Sequence, residues 1–129
     1  MENVFGKKVA EIQQWLYLVF RVIIGAVFFL HGQMKIFSLH LTGLMGVVGV
    51  AEMLIGLGLI LAIFTRLAAV GGLIIMIGAL VTAHLPSGWN PIINKGEPAL
   101  LFLVAFLILL AYGAGIWSLE RQLWKKEMF

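Results

Sequence analysis

The chain has 129 residues, of which 62% are hydrophobic and 12% charged, with no cysteine and a formal net charge of +3. Its mean hydropathy of +1.07 exceeds what a soluble chain of this size can hide in its interior, which excludes a water-soluble globular domain, and a disordered chain is excluded by the abundance of large apolar residues. The lack of cysteine removes disulfides, thiolate zinc sites, iron–sulfur ligation and thiol redox chemistry, and neither a GxGxxG pattern nor a P-loop string occurs.

A bilayer core needs about 20 apolar residues per helix. Continuous apolar runs over Trp15–Phe37, Leu44–Phe64, Leu67–Leu85 and Ala99–Trp117 meet that length and predict helices rather than a barrel, whose strands alternate. Ser38–Gly43 joins the first pair, Thr65-Arg66 joins the second almost without a loop, and Pro86–Pro98 has room for structure of its own. Short links force antiparallel neighbours, so the expected fold is all-α, an up-down four-helix transmembrane bundle in the cell membrane. Lys7, Lys8, Arg66, Arg121, Lys125 and Lys126 then share one side. The positive-inside rule makes that side, with both termini, cytoplasmic. The expected organisation is a cytoplasmic N-terminal segment over residues 1–14, the bundle over 15–117, and a serine-capped amphipathic tail over 118–129. Gly58/Ala62, Ala68/Gly72 and Ala111/Gly115 are small-xxx-small pairs that favour close helix packing.

Ionisable groups inside a membrane are rare and tend to face the bundle interior. Arg21, His31, Lys35, Glu52, His84 and Glu97 are the candidates here. At 100° per residue, Arg21, His31 and Lys35 fall within an arc of about 80° on the first helix. Glu52 shares a face with Gly49 and Gly56, which leave a notch beside its carboxyl group. Folding the first hairpin about Leu41 sets His31 opposite Glu52 with Lys35 in reach, while Arg21 falls roughly 10–15 Å below. Folding the third hairpin sets His84 level with Glu97, where Glu97-Pro98 reads as a helix start. The expectation is a polar cavity in the outer half, lined by His31, Lys35, Glu52, His84 and Glu97 and covered by Trp89 and Asn90. The competing structural reading is that these groups only neutralise one another and fix register. His40 reads as a solvated turn residue.

Arg21-x-x-x-Gly25, His31-Gly32-x-x-Lys35, Glu52 with Gly56, Thr65-Arg66-x-Ala68-Ala69, Glu97-x-Ala99-Leu100-Leu101 and Gly113-Ala114-Gly115-x-x-Ser118-Leu119 together resemble the DoxX family of small four-span membrane proteins, from about Leu16 to Glu120. Pro98 after Glu97, and Glu120 where aspartate is frequent, depart from that pattern. The resemblance implies membrane redox chemistry: quinone-linked oxidoreductase subunits, or stress-response components with soluble partners. In that reading Glu52 is the candidate catalytic group, exchanging a proton, while Lys35 and His31 hold quinone oxygens; Arg21, His84 and Glu97 complete the candidate binding set. No intrinsic cofactor and no metal is expected. Haem between His31 and His84 is disfavoured because Glu52 would crowd the iron. The alternatives are a module that binds or transports a small solute or lipid, and a membrane anchor for a soluble redox enzyme. The expected partners are the bilayer, a quinone or other small molecule, a soluble redox protein or a second copy of the chain, and not nucleic acid.

Overall fold

The computed structural model describes residues 3–127, which are helical with short connections and contain no strand. Helix α1 covers Val4–Gln33 and runs on through a π turn at Met34–Ser38; α2 covers Gly43–Leu61, and α3 covers Thr65–Ala79 followed by a π turn at Leu80–His84. Helix α4 covers Glu97–Tyr112 and α5 covers Leu119–Trp124. The apolar stretches Val4–Ser38, Gly43–Leu61 and Thr65–Ser87 are long enough to cross a membrane, while α4 has 16 residues, or about 24 Å of helix. Side chain Asn3 caps α1 by accepting from the Gly6 N–H, so residues 4–14 are helical and continuous with the first apolar stretch.

Two tight hairpins form the body. Helix α1 packs most extensively on α2, and α3 on α4; α2 meets α3 over a smaller area and α1 barely meets α4. The first hairpin is built on glycine: a β-carbon on Gly25 would stand 2.8 Å from the Gly56 carbonyl oxygen, and one on Gly32 would stand 2.3 Å from that of Gly49. No side chain fits between these backbones, so the pairing rests on backbone-to-backbone contact. The core continues through Phe28, Phe102 and Phe106, with Phe28 and Phe106 edge-to-face at 4.9 Å, and through Leu59, Met76 and Leu109.

The turn between α2 and α3 lies at Ala62–Phe64, with Ala62 and Phe64 in left-handed backbone conformation; Thr65 and Arg66, expected as the link, belong to α3. That turn defines the corner end of the molecule. The opposite, loop end carries the 39–42 turn and the 85–96 connection.

The fourth apolar window does not run as helix to Trp117. Gly113, at φ 75°, ends α4 in a conformation disfavoured for residues with a β-carbon, and Gly113–Trp117 is irregular. Buried irregular backbone needs its polar groups satisfied by protein. Arg21 does this. Buried to 1% exposure, it donates from Nε to the Leu59 carbonyl at 2.9 Å and from Nη1 to the carbonyls of Ala114 and Ile116. Its Nη2 reaches the Trp117 carbonyl at 3.2 Å, and the Tyr17 hydroxyl donates to the Gly113 carbonyl. Arg66 Nε takes the Leu110 carbonyl at 3.1 Å, at the negative end of α4.

Helix α5 begins at Ser118, whose hydroxyl accepts from the Arg121 N–H at 3.2 Å and donates to the Ala62 carbonyl at 2.8 Å. Glu120 is fully buried and its carboxylate accepts from the Phe64 N–H at 3.3 Å. Phe64 and Trp124 stack at 6.0 Å. Glu127 accepts from the Ala114 N–H at 3.0 Å and pairs with Arg66 and Arg121 at 3.3 and 3.1 Å. The tail is thus bolted to the α2–α3 corner.

Candidate functional site

The main cavity, about 620 Å³, lies at the loop end among α1, α2, α3 and the start of α4. Phe28, Met76 and Phe102 form its apolar floor, and Leu44, Met45, Val48, Ile74 and Ile75 line its sides. Leu44, Met45 and Ile74 are also largely exposed, so the rim between α2 and α3 is apolar and open.

Lys35 and Glu52 form the polar centre. The Lys35 Nζ donates to both carboxylate oxygens of Glu52 at 2.7 Å, with the Glu52 side chain 2% exposed and that of Lys35 17%. Two features of the chain produce this contact. The Gly32–Gly49 backbone approach brings α1 and α2 together one turn away, and Gly49, beside the Lys35 β-carbon at 3.1 Å from where its own would stand, leaves the stem a path. The π turn at Met34–Ser38 carries Lys35, and the second π turn, Leu80–His84, carries His84; local widening of this kind re-aims side chains and is frequent at functional sites.

His31 lines the cavity and stands edge-to-face on Phe102 at 5.5 Å. Its ring nitrogens have no hydrogen-bond partner among the described residues. His84 Nδ1 lies 3.1 Å from the Asn94 carbonyl oxygen, which can only accept; the bond therefore puts the proton on Nδ1 and leaves Nε2 as the free acceptor of the neutral ring. Asn94 is itself buried, donating to the Gly88 carbonyl at 2.8 Å and accepting from the Gly96 N–H at 2.7 Å. It holds the connection against His84 and sets Lys95 at the cavity wall.

Of the six candidates read from sequence, His31, Lys35, Glu52 and His84 converge on this cavity. Arg21 does not, because four carbonyls at the corner end engage its guanidinium. Glu97 opens α4 and is exposed; it borders a separate cleft of about 350 Å³ between α1 and α4, shared with His31 and Phe102. Trp89 is 83% exposed and Asn90 caps its own turn by accepting from the Ile92 N–H, so neither covers the cavity. Lys95, itself exposed, also borders the cavity and was not among the candidates. Among the described residues no group of three or more His, Asp or Glu side chains is disposed to hold a metal ion.

A family model described as DoxX matches residues 16–85, which carry Arg21, His31, Lys35, Glu52 and His84. A protein of Haemophilus influenzae described as "Uncharacterized protein" is 36% identical over 119 residues, covering 82% of this chain and 89% of its own length. No solved structure matches.

Proposed function

This chain belongs to the DoxX family of membrane proteins, and on that premise we propose that it is a multi-pass protein of the cell membrane whose central cavity holds a quinone ring during its reduction. The observation that carries this reading is a hydrogen-bonded Lys35–Glu52 pair set in the wall of a largely apolar cavity whose rim, between α2 and α3, is open and apolar. A quinone needs a slot for its ring and tail and a few polar groups at its carbonyl oxygens. A molecule dissolved in the hydrocarbon reaches Lys35 through that rim without passing through water.

Two-electron reduction of a quinone consumes two protons. Lys35 donates a hydrogen bond to one carbonyl oxygen; Glu52, hydrogen-bonded to Lys35, passes one proton to that oxygen and is reprotonated from water at the loop end, and the second oxygen takes its proton from that water directly. The two electrons come from a soluble redox partner or a small reductant. The corner end, with Lys7, Lys8, Arg66, Arg121, Lys125 and Lys126, is cytoplasmic in this reading, which puts both termini there and the cavity in the outer half. Helix α4, with the irregular segment that Arg21 holds, serves as the fourth crossing.

Mass spectrometry of the protein extracted in a mild detergent tests the reading. Quinone copurifying with the native chain and lost in Glu52→Gln supports it; phospholipid in its place supports the lipid-binding alternative and contradicts it.

A further inference from the structure

Five ionisable side chains line the main cavity: His31 and Lys35 from α1 and its π turn, Glu52 from α2, His84 after α3, and Lys95 from the connection to α4. Glu52 neutralises Lys35 through two bonds of 2.7 Å. Among the described residues no carboxylate lies within ion-pair distance of Lys95, and Glu97, two residues on, borders the other cleft. Lys95 is exposed, so the mouth of the cavity at the loop end carries an uncompensated positive charge. That end is also the more elaborately built. The buried Asn94 accepts at its carbonyl from His84 and braces the connection through side-chain bonds to Gly88 and Gly96, with the Lys95 backbone at φ 62°. A β-carbon on Gly96 would stand 3.0 Å from that of His84, so the backbone passes directly over the imidazole.

Resting on the quinone reading, we propose that His84 and Lys95 form an anion subsite at the loop end of the cavity, so that the favoured ligand is a quinone-class ring bearing one ionised oxygen. The ring lies with one oxygen toward Lys35 and Glu52 and the ionised oxygen toward His84 and Lys95. His84 keeps its Nδ1 proton on the Asn94 carbonyl and, when protonated, offers Nε2–H to the ligand; Lys95 supplies fixed positive charge. Neutral quinone gains at most a hydrogen bond from that end, whereas a hydroxyquinone anion, or the singly deprotonated quinol formed during reduction, gains a charge–charge contact as well. His31, Lys35, Glu52 and Lys95 are the charged or titratable groups that share the cavity with His84.

The test is isothermal titration calorimetry on the full chain in a neutral detergent at neutral pH, with a hydroxynaphthoquinone that is ionised there and with its uncharged methyl ether. The native protein is expected to bind the anion about tenfold more tightly than the ether, a preference that shrinks as salt is added. Lys95→Asn, which removes the charge with a residue tolerant of the left-handed backbone, is expected to bring the two ligands to parity by weakening the anion about tenfold. Lys126→Asn, at the far end of the molecule, is expected to preserve the preference. Equal binding of both ligands by the native protein, or equal loss in the two variants, overturns the subsite and leaves the quinone reading standing. Failure of both ligands to bind overturns the two together.

Discussion

Alanine at Gly32 and at Gly78 should move stability in opposite directions, although both positions are glycines on apolar helical segments. At Gly32 the new β-carbon would stand 2.3 Å from the Gly49 carbonyl oxygen and 2.8 Å from the Met53 nitrogen, both backbone atoms of the facing helix. Rotamer changes cannot relieve that clash, so α1 and α2 must separate by most of an ångström. Overpacking of this kind costs about 1–3 kcal/mol, and the better helix propensity of alanine returns at most about 1 kcal/mol. At Gly78 a β-carbon meets nothing within 4 Å, so only the propensity gain remains. The two variants are expected to differ by about 2 kcal/mol in unfolding free energy, with Gly32→Ala below the native protein and Gly78→Ala at or above it. Denaturation of all three in one detergent, followed by circular dichroism, reads this directly. The separation also reaches the cavity, because Lys35 and Glu52 each lie three residues beyond the contact, so Gly32→Ala should weaken ligand binding as well. If the two variants unfold within about 0.5 kcal/mol of each other, ordinary surface variation explains both, and the backbone contact does not set the hairpin.

Lys35→Met leaves Glu52 buried without its partner and should lower stability by about 3–5 kcal/mol, whereas adding Glu52→Leu should recover most of the loss; a double-mutant cycle of unfolding free energies checks this. Arg21→Lys keeps the charge but loses the planar fork that serves four carbonyls, so a cost of about 2 kcal/mol or more is expected, with no change in ligand affinity per folded molecule. Glu120→Ala releases the tail from the Phe64 N–H; limited proteolysis should cut between Ser118 and Lys126 faster, and Glu120→Gln should fall between the two.

Much of this was legible from residue type and spacing because a bilayer makes both unusually informative. Apolar runs located the helices, and the 100° rule put His31 and Lys35 on the face that meets Glu52. The end of the fourth run was less legible: Gly113-Ala114-Gly115 interrupts an apolar stretch without lowering its hydropathy, so helix was expected to continue to Trp117. The partners of Arg21, expected well below Glu52, were not legible for a related reason. Its stripe position is right, but its acceptors are carbonyls, which every residue has and which leave no trace in a sequence. Glu120 stood out only as a residue where aspartate is frequent in an amphipathic surface tail, and its burial depends on the left-handed turn at Ala62–Phe64. The signal was nonetheless present in Gly113-Ala114-Gly115-x-x-Ser118-Leu119, a stretch too specific for a disordered anchor. Helix arithmetic also set Glu97 beside His84, but depth alone does not say which side of α4 a residue faces, and Glu97 turns to the other cleft.

Photolabelling with a quinone carrying a reactive group on its ring tests most directly whether a membrane-dissolved ring enters beside the ion pair. Peptide mapping after irradiation in native membranes is expected to find adducts on Met45, Val48, Ile75 or Phe102, competed by unlabelled quinone and lost in Glu52→Gln. Adducts confined to the outer faces of α1 and α4, or labelling of the cavity that neither competitor nor Glu52→Gln alters, would contradict a quinone site there.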